Sequence, residues 1–200
     1  HKVPNLVFSE ERRGVTTRLT LKLDDTQFLD MQEGTTIPDA QRSFSLLHEF
    51  MVVISGVLHK PALLERMMDM LFKAFHPDRG VILLLTPEGE PGHKLVRQRE
   101  GLSSETEISI SRTMAQVVLH KQESFLSVDA GADERLAASE SMHRMRVESV
   151  IGVPLKLKDR VLGMVYLDKV TGGVPFVEMD LKLCSAMALQ AAVCLENANL

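Results

Sequence analysis

Tryptophan is absent from this chain of 200 residues, tyrosine occurs once, cysteine twice, and aromatic residues make up only 4% of the sequence. No Lys/Arg run interleaved with aromatics is present, and the formal net charge of −4 is spread through interspersed acids and bases. This composition argues against a phosphate-tracking surface, so no direct nucleic-acid contact is expected. The longest apolar run, "FMVVISGVL" at 50–58, is far short of the roughly 20 residues that cross a bilayer. No signal pattern opens the chain, so neither membrane insertion nor export is predicted, and a cytoplasmic setting is expected. Cys184 and Cys194 fall in one helical segment; ten helical residues span about 15 Å, which prevents their pairing within a chain. Free thiols fit a reducing compartment.

Missing motifs exclude further chemistry. The histidines (His1, His48, His59, His76, His93, His120 and His143) never recur at i, i+4, and the cysteines form no Cys-x-x-Cys, so no metal site is expected. There is no Gly-x-Ser-x-Gly elbow and no phosphate-cradling glycine loop; "TGG" at 171–173 reads as a turn. Asp129, Asp133, Glu134, Glu140 and Glu148 sit in a charge-rich stretch that reads as solvated. No catalytic residue is predicted.

What is present is enough apolar content, 44%, for one buried core. The chain begins "HKVPNLVFSE", which suggests a piece of a longer protein. Residues 1–37 are polar and lightly patterned; within them "TRLTLKLDD" alternates Leu19, Leu21 and Leu23 like a strand. They read as a linker with an accessory strand, and residues 38–200 as the domain proper. From Pro38 and Asp39 the spacing turns helical. Phe44, Leu47, Met51, Ile54 and Leu58 follow 3-4-3-4 steps and are predicted to form a homodimer seam, while Leu46, Phe50, Val53 and Val57 form a second stripe for the core; a helix buried on both sides within one domain is the alternative. A second helix from Pro61 points Leu64, Met67, Met68, Leu71 and Phe75 inward. A hairpin is predicted from "VILLL" (81–85) and "HKLVRQRE" (93–100), then a short helix capped by Ser111, the strand "SFLSV" and a charged segment "DAGADERLAASESMHRMRVE".

The segment "GVPLKLKDRVLGMVYLDK" (152–169) reads as two strands around a charged turn. Its second strand opposes Val161, Val165 and Leu167 to Leu162, Met164 and Tyr166, so both faces need covering. The closing helix, about 177–199, carries two stripes rich in small residues, Leu183, Met187, Ala191, Cys194 and Ala198 on one side and Leu181, Cys184, Ala188, Ala192 and Leu195 on the other. The element order predicts an α/β (α+β) domain with long helices on one face of its sheet, and the charged segment is the available cover for the other.

The run "DAGADERLAASESM", "SVIGVPLKLKDRVLGMVYLDK" and "FVEMDLKLCSAMALQAAVCLENA", in this order and spacing, resembles the GAF domain family over about residues 40–199. The resemblance implies a central antiparallel sheet of about six strands, long N- and C-terminal helices on one face, a small-molecule pocket beneath a cover on the other, and dimerisation through the flanking helices. Residues 1–37 resemble the connector that follows a forkhead-associated domain in bacterial transcription activators and signalling enzymes. Cyclic-nucleotide-binding members carry a motif matched in part by Asp168, Lys169, Phe176 and Asp180, with Asp168 in place of Asn and Leu181 in place of Glu. By this resemblance Lys169 and Asp180 are expected to form a structural salt bridge with Phe176 beside it. The cysteines, on the closing helix, do not match positions used by family reductases or bilin photoreceptors. The expected pocket lies between Tyr166 and the cover, with Ser127, Asp129, Arg135 and Ser139 as further ligand-binding candidates. The implied function is a regulatory sensor with no resident cofactor, binding a small-molecule effector or a partner and transmitting the signal through helix packing in a dimer to an output domain on the same parent chain; a purely structural dimerisation spacer is the alternative.

Overall fold

The computed structural model describes residues 6–9, 17–21, 36–102, 108–128, 147–170 and 174–198. In chain order the elements are β1 (Leu6–Ser9), β2 (Thr17–Leu21), α1 (Ile37–Ile54), α2 (Lys60–Phe75), β3 (Arg79–Leu85), β4 (Pro91–Gln98), β5 (Ile108–Ser111) and α3 (Arg112–Ala115). A π-helical turn (Gln116–His120) extends α3, and β6 (Ser124–Val128), β7 (Val147–Leu157), β8 (Arg160–Val170) and α4 (Glu178–Asn197) follow. Six strands form one antiparallel sheet in the order β2-β6-β7-β8-β3-β4, and β1 pairs in parallel with β5 in a separate two-stranded sheet. The expected accessory strand is thus an edge of the main sheet, Leu19 facing Leu126.

Strand alternation splits the core into two layers. Ile82, Leu84, Ile151, Val153, Leu155, Val165 and Leu167 meet the long helices. Val81, Leu83, Phe125, Met164 and Tyr166 point to the opposite, far face, where Ile108, Ile110, Met114 and Val118 cover them. All five apolar residues assigned to the second helix are buried in the helix-side layer. The expected hairpin joins β3 to β4. The side chain of Ser111 accepts from the Met114 backbone N–H at the start of α3.

Two expectations for the helices are corrected. Helix α1 ends at Ile54, whose successor Ser55 is extended (ψ 132°), so Leu58 does not continue its stripe. Ile54 is only 1% exposed and belongs to the helix-side core, beside Phe50. A 3-4-3-4 row over two heptads does not distinguish a partner from the protein's own sheet, and here the C-terminal turn meets the sheet side. Leu47 packs partly against the core, whereas Phe44 is 68% exposed and Met51 half-buried. Both stripes of α4 are largely buried as well. Among the described residues no helix is long and apolar enough to cross a membrane.

Candidate functional site

After Arg160, strand β8 carries no charge until Asp168, a carboxylate that alternation places on the far face together with Tyr166 and Met164. Asp168 is 0% exposed, and a buried charge at that depth needs a partner. The partner is Arg79, directly opposite on β3 and 3% exposed. Its Nε lies 3.0 Å from each carboxylate oxygen, and a terminal guanidinium nitrogen donates to Oδ2 at 2.6 Å. Tyr166, 2% exposed, donates its hydroxyl to the same Oδ2 at 2.7 Å. No buried side-chain N or O among the described residues lacks a hydrogen-bond partner.

Burial pushes the Asp168 carboxyl above its usual range, against the pull of Arg79 and Tyr166. Burial also opposes the Arg79 charge, but the hydrogen bonds and charge of Asp168 outweigh it and the guanidinium is held above its ordinary value. Burial, then the nearby Asp168 charge, raise Tyr166 well above the usual phenol value, so this side chain stays a neutral donor. The arrangement is a preorganised polar cluster in an apolar layer, its three side chains hydrogen-bonded to one another.

A second tie fixes the same end of the sheet. Asp78 accepts from the Val170 backbone N–H at 2.8 Å through Oδ2 and pairs with Arg99 at 2.6 Å through Oδ1. Its own N–H donates to the Asp168 carbonyl at 2.8 Å. One residue on, Lys169 faces the helix side. Its ammonium donates to the Val174 carbonyl at 2.8 Å and lies 4.5 Å from the centroid of the Phe176 ring. Phe176 is buried, and its N–H donates to the Ser149 hydroxyl at 3.1 Å.

The expected Lys169–Asp180 salt bridge is therefore corrected. Asp180 instead accepts from the Val177 N–H at 2.9 Å and caps the start of α4. It acts on Lys169 only through its field, which partly offsets the burial that lowers the ammonium's pKa. A cation–π contact and one carbonyl are weak anchors at a half-exposed site. Lys169→Met is expected to cost about 1 kcal/mol or less in urea unfolding. A loss of about 3 kcal/mol, the scale of a broken buried ion pair, would contradict this placement.

Of the predicted ligand residues, the structure brings Tyr166 and Ser127 to the same face. Ser127 on β6 pairs with Val150, Val150 with Asp168, and Asp168 with Arg79, which puts all four in one row across the sheet. Asp129, Arg135 and Ser139 lie outside the described residues, as does most of the expected cover. Val128, just before it, and Val147, near its end, lie at the polar cluster's end of the sheet, since Val147 pairs with Val170. Sequence reasoning missed Arg79 and Asp78, in "HPDRG", as part of the site. The available signal was Asp168, a carboxylate inside an apolar strand that had to be matched. Cys184 is buried in the helix-side layer and burial pushes its thiol up; Cys194 is half-buried on the same helix. No group of three His, Cys, Asp or Glu among the described residues could hold a metal.

The sequence profile of the GAF domain matches residues 60–195. Among solved structures, the chain is similar to free methionine-R-sulfoxide reductase from Neisseria meningitidis in complex with its substrate, at 17% identity and TM-score 0.55 over 86% of this chain and 98% of that one. It is similar at 13% identity and TM-score 0.55 to a far-red-absorbing protein in its dark state with bound biliverdin, over 78% of this chain and 99% of that one. A GAF domain/HD domain protein from Geobacter sulfurreducens matches at 15% identity and TM-score 0.51, over 73% of this chain and 98% of that one. Likeness at these identities is likeness of fold.

Proposed function

The chain belongs to the GAF domain family, whose members are generally sensory and regulatory domains, and from that premise we propose a non-catalytic cytoplasmic sensor whose far face takes a small molecule. The observation that carries this reading is the Arg79–Asp168–Tyr166 cluster, polar groups converging within the apolar layer opposite the long helices. The reading takes Ser127 and Tyr166 as ligand residues, with Asp129, Arg135 and Ser139 as further candidates from the cover.

Transmission follows from the end of β8. Asp168 reads the far face, Lys169 leans on Phe176 just before α4, and the Val170 N–H is tied to Asp78. A ligand that prefers one setting of the cluster biases this segment, and with it the start of α4, by no more than its differential affinity. In a homodimer formed through α1 the bias reaches an output domain on the parent chain. Phe44 is an exposed apolar residue of α1, and the half-buried Leu47 and Met51 follow it on the same stripe.

The cysteines support a non-redox reading, since burial raises both thiols and keeps them from the reactive thiolate form. A spacer reading is favoured by a different observation. Val81, Leu83, Ile108, Ile110, Met114 and Met164 fill the far face with the protein's own side chains. Native mass spectrometry of freshly purified protein separates the two. The sensor reading expects a dimer carrying a small-molecule mass, and Phe44→Glu is expected to give a folded monomer that keeps it, because the charge would be desolvated in the interface. A ligand-free dimer would support the spacer, and a Phe44→Glu protein that stays dimeric would remove α1 from the interface.

A further inference from the structure

Strand β1 stands apart from the main sheet: among the described residues its strand partner is β5 alone, in parallel register. Leu6 lies beside Ile108 and Phe8 beside Ile110, so alternate side chains of both strands reach the far-face core. The two strands are unequal within it. Ile108 and Ile110 are 0% exposed, and β5 runs directly into α3, whose Met114 and Val118 continue the same layer. Leu6 and Phe8 are half-buried and pack on that layer from outside. A strand of four residues that, among the described residues, has one hydrogen-bonded neighbour and is anchored by Leu6 and Phe8 belongs to the least stable part of a fold, because few contacts offset its ordering entropy.

We propose that the outer edge of β5 is a strand-acceptor site for an extended segment with apolar residues at alternate positions, and that residues 6–9 are its built-in, exchangeable occupant. Main-chain pairing supplies the affinity of such a site, and the alternate side-chain positions beside Ile108 and Ile110 supply its specificity. An incoming segment of this kind competes with β1, which therefore acts as a strap over the far face. The edge can accept a strand whether or not a small molecule reaches Tyr166.

The test uses the full chain carrying Leu6→Asp and Phe8→Asp, which removes both anchors. Amide exchange at Ile108–Ser111 is expected to accelerate by about tenfold or more while β7 and β8 stay protected, as for a locally opened element. A synthetic peptide of residues 1–14, added at about millimolar concentration to match what a short tether supplies, is expected to slow that exchange again. The same peptide with Asp at both positions is expected to have no effect. Unchanged exchange at β5 in the variant would overturn the proposal, and so would loss of protection throughout β7 and β8, which would make β1 part of the cooperative core. A native peptide that leaves β5 exchanging rapidly would refute the acceptor site itself.

Discussion

Arg79→Met is expected to lower the unfolding free energy by about 3–5 kcal/mol, because it leaves the Asp168 carboxylate buried and uncompensated. Urea denaturation checks the value. The loss should depend on pH with a definite sign. Without its guanidinium partner, Asp168 would be raised further above its unfolded value, on top of the burial that already raises it. A group raised in the folded state contributes its stability below the unfolded pKa and loses it as pH rises through the folded one. The deficit of Arg79→Met should therefore shrink below about pH 4 and be largest at neutral pH. Adding Asp168→Leu should recover much of the loss, since an apolar pair of similar volume can replace a buried ion pair at little cost. Tyr166→Phe removes one hydrogen bond to a charged group and should cost about 1.5–3 kcal/mol. A double variant no more stable than Arg79→Met alone would mean that the two residues are not coupled.

Gly163→Ala is the second large effect. Gly163 lies on β8 opposite Leu84, and a Cβ there would stand 2.0 Å from the Leu83 carbonyl oxygen and 2.9 Å from the Leu84 Cα. Both obstacles are backbone of a central strand, so relief requires β3 and β8 to separate. A loss of about 3 kcal/mol, at the upper end for overpacking, is expected from thermal or urea unfolding. Gly152 is the control. A Cβ there meets the Met114 sulfur at 2.4 Å and Val118 Cγ2 at 3.1 Å. Met114 is flexible, so the cost should be about 1 kcal/mol. Equal effects at the two glycines would show that strand spacing near Gly163 adapts more readily than its contacts imply.

Legibility in the sequence followed the range of the interactions. Alternation in "VLGMVYLDK" placed Tyr166 on the face away from the helices, and helical spacing found the inward side of α2, because those signals are local. Arg79 was opaque for the opposite reason: its meaning depends on Asp168, 89 positions along the chain and adjacent only once β3 and β8 pair. Strand β5 was not predicted, although "ISIS" alternates Ile108 and Ile110 with serines; four residues are too few for a period-2 pattern to outweigh a polar neighbourhood. The assignment of Ile54 to a dimer seam failed because periodicity records an apolar face without recording what covers it. Asp180 was matched to a family position by spacing, and its hydrogen bond to Val177 shows the local demand of a helix start prevailing over a longer reach to Lys169.

The opposite charges at the end of β8 also bear on how the chain finds its register while folding. Asp168 and Lys169 are consecutive, one directed into the far face against Arg79 and the other toward Phe176. A slip of one position in the pairing of β8 would exchange the two faces. The carboxylate would then be driven into the apolar layer of Leu84 and Ile151 with no cation beside it, and the lysine would be set against Arg79. Each misplacement is costly by itself, since one buries an unpaired charge and the other brings like charges together. The neighbouring strand is long and apolar enough to tolerate several alignments on hydrophobicity alone, so this dipeptide penalises the wrong ones. Variants that neutralise both positions should accordingly refold more slowly and with more misaligned, aggregation-prone species than their equilibrium stability would suggest.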